Sequence, residues 1–285
     1  QDSARMLNTA SPADVFGNFG PAKSSAAKLG LVGFAETLAK EGERYNIKAN
    51  TIAPLAKSRM TEKILPPHIL EKLSPEKVAP LVLYLTHELN EVNGQIFEVA
   101  AGFFGQIRWE RLGGVLFKPD ESFTAEAVAA RFDEILTFDD SKKPEVLKNQ
   151  HPLMLNNYLD LVDAAKKLPP SPAASSLDPV TLKDRVVLIT GAGAGLGADY
   201  AKFFARYGAK VVVNDFADPS KTVAEIKAAG GEAHEDKHDV ARDAEAIIAN
   251  VIDKYGRIDV LVNNAGILRD KSFAKMTDKD WYSVQ

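Results

Sequence analysis

"DRVVLITGAGAGLGADY", residues 184 to 200, decides the fold. Its first half is a short, β-branched apolar run, the pattern of a buried strand. Its second half carries glycines at 191, 195 and 197 and opens into the helical periodicity of "GADYAKFFARYG". A glycine-rich turn between strand and helix lets backbone amides approach a pyrophosphate, whose charge the helix N-terminus favours. The spacing is TGxxxGxG rather than GxGxxG, since Leu196 stands where the third glycine would be. Such a turn alone could be purely structural. Asp215 weighs against that: it ends the next strand 18 residues after Gly197, where a carboxylate can bind the adenosine ribose hydroxyls. Its repulsion of a 2′-phosphate favours NAD over NADP.

Outward from this stretch, "AKVVVND" (209–215) and "GRIDVLVNNAG" (256–266) contain two more strands. "SKTVAEIKAAGG" (220–231) and "ARDAEAIIANVIDKYG" (241–256) read as helices, the second closed by Gly256. Strand and helix alternating in this rhythm mean βαβ units and a parallel sheet. The N-terminal third has the same grammar without the glycine-rich start. "RMLNTA" is a strand, 22–44 a long helix, and "IKANTIAP" a strand halted at Pro54. A helix is expected over "SPEKVAPLVLYLTHE", with Ser74 as N-cap and Pro75 at the first helical position, and "GQIFEVAAG" as the closing strand. Residues 116–166 are mixed and helical in pattern, and "KLPPSPAASSLDP" (167–179) is expected to be an exposed, flexible linker. No internal repeat is visible.

The chain has 285 residues, 45% hydrophobic and 26% charged, which suits one large or two smaller globular domains. A net charge of −4 with interspersed signs gives nucleic acid no basic face to bind. No apolar run reaches membrane-spanning length. The absence of cysteine excludes disulfides and thiolate metal sites. Residue 1 is Gln, and "DKDWYSVQ" opens a helix, with Asp278 as the expected cap, at which the sequence stops. A piece of a larger product is the simplest expectation from both ends.

Three further motifs bear on chemistry. "NNAG" (263–266) follows a strand; its asparagines can tie neighbouring strands and Gly266 can admit a ligand, although an ordinary turn would read the same. "HEDKH" (234–238) matches the zinc-protease pattern letter for letter. That pattern works on a helix, whereas four residues of strand span about 13 Å, too far for two bonds to one zinc. No metal site is assigned, and Asp239 and Val240 fall at a strand end where adenine would lie. Ser11, position 24 and Lys28 have the spacing of a hydride-transfer site in which a tyrosine acts as acid or base. Lysine there lowers the phenol pKa and serine orients the substrate oxygen. Position 24 is Ser. An aliphatic hydroxyl is far less acidic than a phenol of pKa ~10 and is shorter by a ring.

TGAGAGLG, VVVND, HDV, NNAGILRDKSF, FGNFG, Lys28, IAPLAKSRMT and FEVAAGFFGQIRWER together resemble the short-chain dehydrogenase/reductase family. Within it they are most similar to the tandem (3R)-hydroxyacyl-CoA dehydrogenase modules of the fungal peroxisomal multifunctional enzymes. The resemblance implies that residues 1–115 are the second half of one module, 116–178 the inter-module segment, and 179–285 the NAD-binding half of the next. It implies Ser11, Ser24 and Lys28 at the catalytic positions, with Ser24 replacing the family's tyrosine. It implies NAD held by Gly191, Gly195, Leu196, Gly197, Asp215, Asp239, Val240, Asn264 and Gly266, with Lys28, Ala56, Ser58 and Arg59 closing over it. The substrate implied is an acyl-CoA, the compartment the peroxisome, and the partner a second copy or a complementing module. An inactive NAD-binding or scaffold module is the alternative.

The fold expected is α/β, a doubly wound parallel Rossmann-type sheet assembled as a pseudo-circular permutant from two half-modules. Strand 260–264 should then lie beside strand 5–9, bringing Lys28 across one cleft from Gly191 and Asn264.

Overall fold

A computed structural model describes residues 3–110, 114–138, 155–172 and 179–284. The chain divides into two units, one of Gln1–Glu110 with Asp270–Asp280 and the other of Arg111–Arg269 with Trp281–Gln285. Each has its own four-stranded sheet.

The first unit runs β1 (Ala4–Thr9), α1 (Pro12–Phe16), α2 (Ala22–Gly42), β2 (Ile47–Leu55), α3 (Pro67–Leu70), α4 (Ala79–Thr86), β3 (Ile96–Ala100) and β4 (Phe103–Ile107). The sheet order is β1-β2-β3-β4, parallel except for β4, which folds back antiparallel on β3. Val32, Ala35, Leu38 and Ala39 give α2 a buried stripe, and Ile52 and Val99 bury against Leu85 of α4. Three local expectations change. Pro54 does not stop β2, because it pairs with Val99 near the strand end, where a missing N–H matters least. The helix expected from Ser74 divides into a short 3₁₀ turn, Pro75–Lys77, and α4. Pro80 supplies no N–H and its ring crowds the carbonyl of residue 76, so the α-helix starts afresh beside it. The closing strand is β4, beyond the "GQIFEVAAG" segment.

The second unit contains α5 (Ala125–Ala130), α6 (Phe132–Leu136), α7 (Leu155–Lys166), β5 (Val186–Thr190), α8 (Gly195–Arg206), β6 (Lys210–Asn214), α9 (Ser220–Ala228), β7 (Glu232–Asp236), α10 (Ala244–Tyr255) and β8 (Val260–Val262). Its sheet is wholly parallel, ordered β7-β6-β5-β8. Every residue of β5 is buried, the signature of a central strand covered on both faces. Val187, Ile189, Val211 and Val213 pack on one face with Ala201 and Ile226, while Val186, Leu188 and Val212 meet Ile247 and Val251 on the other. Gly256, at φ 73°, ends α10 by returning its N–H to the Ile252 carbonyl at 2.7 Å. The linker expectation lies partly outside the described residues, which omit 173–178.

α11 (Asp278–Val284) closes the chain. Its cap is Thr277 rather than Asp278: the Asp280 amide donates to Thr277 Oγ1 and the Thr277 amide donates back to Asp280 Oδ2, a reciprocal box.

The expected continuous sheet does not form. β8 pairs with β5 alone and β1 with β2 alone, so strands 260–262 and 4–9 lie in different sheets. The permutant arrangement is therefore corrected. The parallel pairs join strands linked by one helical crossover, except β5 with β8, whose connection passes through β6 and β7; a pairing of β8 with β1 would be more distant still in sequence.

Candidate functional site

β5 delivers its chain at Thr190 into the glycine turn, and α8 begins at Gly195. A Cβ on Gly197 would fall between the Gly191 carbonyl, Asn264 Nδ2 and Ala192 Cα, so only glycine lets the helix start sit this close to the strand end. Gly195 differs: it has φ +57° and open space where a Cβ would stand. Gly191 (φ +63°) passes within 2.7 Å, measured from an added Cβ, of Ala265 Cα. Leu196, the next residue of the helix, is 68% exposed.

Asn264 and Thr190 lace the ends of β5 and β8. Asn264 Nδ2 donates to the carbonyls of Thr190 (2.9 Å) and Gly191 (3.0 Å), while the amides of Asn264 and Ala265 both donate to Thr190 Oγ1 at 3.0 Å. Gly266 lies exposed beyond them with room around it. At the end of β6, Asp215 accepts the Gly193 amide on Oδ2 and the Ala217 amide on Oδ1, each at 3.0 Å. An acceptor-rich carboxylate thus stands against the glycine turn itself. Asp239 follows β7 and ties the approach to α10, accepting the Ala241 amide at 2.9 Å, and Val240 beside it is exposed.

"HEDKH" lies on β7 and the turn after it, not on a helix, and the strand ends at Asp236, before "HDV". Asp236 is 2% exposed. Burial opposes its charge, but hydrogen bonds from Asn250, His238 and Asn214 outweigh burial and hold its pKa below the usual value. The same carboxylate raises the pKa of His238 through a hydrogen bond and through its charge. Sequence reasoning missed Thr190, Asn214, Asp236 and Asn250, all polar and all at strand ends or facing them. Asn214, next to Asp215 in an otherwise apolar run, was the one visible signal.

These residues fit a dinucleotide: a glycine turn with open space, a helix N-terminus and a strand-end carboxylate converge on one edge of the sheet. The other candidates belong to the first unit. Ser11 precedes α1 and its carbonyl accepts the Asp14 and Val15 amides. Lys28 Nζ donates to the Thr9 carbonyl at 2.9 Å, which pins the ammonium at the end of β1. Ser24 is half-buried on the first turns of α2, one turn before Lys28. Its neighbour Ser25 donates to the buried Asp14 at 3.3 Å. Ala56, Ser58 and Arg59 lie on the loop after β2, which Thr61 ties by donating to the Ala56 carbonyl at 2.9 Å and accepting the Ser58 amide at 2.7 Å. Lys28 and the glycine turn are thus set on different sheets.

The short chain dehydrogenase family matches residues 185–285. A peroxisomal hydratase-dehydrogenase-epimerase of Saccharomyces cerevisiae is 58% identical over 287 residues, covering 100% of this chain and 31% of the relative. One from Neurospora crassa is 48% identical over 285 residues, covering 100% of this chain and 30% of the relative. A mouse peroxisomal multifunctional enzyme type 2 is 50% identical over 149 residues, 52% of this chain and 20% of its own length. The chain therefore spans about a third of the fungal relatives' length. Residues 185–285 thus carry a short-chain dehydrogenase domain, and along its whole length the chain is homologous to the fungal peroxisomal hydratase-dehydrogenase-epimerases.

Proposed function

We propose that this chain is the dehydrogenase portion of a peroxisomal multifunctional enzyme of fatty-acid β-oxidation, oxidising (3R)-3-hydroxyacyl-CoA with NAD. The observation that carries the reading is Asp215 at the end of β6, bonded to the Gly193 amide of the turn. The full-length similarity to the yeast and Neurospora enzymes supports the substrate class and the peroxisomal location. Residues 1–115 and 179–285 are then halves of two modules joined by 116–178.

Bound NAD supplies the hydride acceptor. Gly191, Gly195, Leu196, Gly197, Asp215, Asp239, Val240, Asn264 and Gly266 hold its adenosine and pyrophosphate. Ser11 orients the substrate oxygen, and Lys28, with Ala56, Ser58 and Arg59, faces the nicotinamide ribose. Because the two sets belong to halves of different modules, a complementing module or second copy completes each half. Ser24 cannot take up the substrate proton as a phenolate would, so turnover by this chain is weak. The same serine favours the second reading, an NAD-binding module without turnover.

Fluorescence titration tests the cofactor assignment. NADH should bind at least about tenfold more tightly than NADPH, the loss expected when a 2′-phosphate meets the Asp215 carboxylate. Equal affinities would remove Asp215 from the ribose. Binding without any oxidation of 3-hydroxyacyl-CoA would select the second reading.

A further inference from the structure

We propose that Asp236 is a positioning residue that sets the adenine-facing loop, working through Asn214, His238 and Asn250; this rests on the NAD reading. Four donors converge on the two oxygens of this buried carboxylate. Oδ1 accepts Asn214 Nδ2 at 2.7 Å and the His238 amide at 3.1 Å; Oδ2 accepts Asn250 Nδ2 at 2.6 Å and His238 Nδ1 at 3.0 Å. All its acceptor positions are used. The three side chains come from β6, α10 and the turn itself, so one group joins three elements.

The peptide that matters joins His238 to Asp239. Its carbonyl accepts Asn214 Nδ2 at 2.9 Å, and its N–H donates to Asp243 Oδ2 at 3.1 Å. Both ends of that peptide are therefore fixed immediately before Asp239 and Val240. Asn214 cannot turn over, since its oxygen would then face two acceptors, the Asp236 carboxylate and the His238 carbonyl. The lattice extends to the other adenosine contacts. The Asp215 amide donates to the Asp236 carbonyl at 2.9 Å, and Thr222 Oγ1 donates to the Gly193 carbonyl at 2.9 Å. The lowered pKa of Asp236 and the raised pKa of His238 agree with a charged carboxylate at the centre.

The test compares NADH with reduced nicotinamide hypoxanthine dinucleotide, whose base lacks the 6-amino group, on the full chain. In Asp236→Ala, NADH affinity should fall about tenfold, the loss of charged hydrogen bonds, while the hypoxanthine analogue changes by less than about twofold. Asp236→Asn keeps the Oδ1 contacts but sets an NH2 against the Asn250 and His238 donors, so its NADH affinity should fall between those of the alanine variant and the wild type. Asn250→Ala removes a single donor and should shift the same ratio by about threefold, which keeps the test open if the alanine variant at 236 does not fold. Equal loss for both dinucleotides, or none for NADH, would reduce the cluster to a structural role. A wild-type chain that binds neither would instead overturn the cofactor reading, and this proposal with it.

Discussion

A serine hydroxyl one helical turn before Lys28 is short in two respects, acidity and reach. A phenol titrates near pKa 10 and can be lowered by an adjacent ammonium, whereas an aliphatic alcohol lies far above any pH at which the fold survives. Lys28 is already anchored to the Thr9 carbonyl, so the ammonium is placed whether or not a phenol is present. Ser24→Tyr should therefore raise oxidation of 3-hydroxyacyl-CoA by about 10²-fold, the usual contribution of a positioned acid or base. Lys28→Ala in that background should abolish the gain. No gain in initial rate would show that the missing phenol is not the main defect.

Among the elements, β4 is informative because it was not anticipated. The loop joining it to β3 has two residues, Ala101 and Gly102, both at positive φ (50° and 92°). That is the backbone of a type I′ hairpin, for which Asn-Gly is the preferred pair and an alanine at the first place is strained. Ala101→Asn should therefore stabilise the chain by about 1 kcal/mol, read as a higher urea midpoint with unchanged slope. The same geometry explains why the strand was illegible: Ala-Gly announces no hairpin, and Phe103 and Phe104 in succession break the alternation of a half-buried strand. By contrast β5, β6, α8 and α10 were plain, since β-branched runs and glycine stops are local signals. The cradle of Gly191, Gly195, Gly197 and Asp215 was legible for the same reason. Asp236 and Asn250 were not, because a buried carboxylate is recognised by partners 14 to 22 residues away, which only the packing of β6, β7 and α10 brings together. The expected pairing of β8 with β1 failed on the same ground: it depended on long-range contacts that no local pattern encodes.

At the scale of the whole molecule, two sheets with separate cores imply two cooperative transitions rather than one. Scanning calorimetry should resolve both, and NADH at a hundred times its dissociation constant should move only that of the second unit, by about 2.7 kcal/mol. A single transition shifted as a whole would show that the units unfold together. Phe273 adds a matter of timing. It sits edge-on to Phe34 of α2 with ring centres 5.1 Å apart, and its amide donates to Glu41 at 2.7 Å, so residues 270–280 finish a unit whose main body ends at Glu110. On a ribosome adding roughly 5–20 residues per second, the first unit waits about ten to thirty seconds for its last side chain. During that interval Phe34 keeps its packing against the cluster of Ala35, Leu38, Ala39 and Ala49, and only the side that meets Phe273 stays open to water.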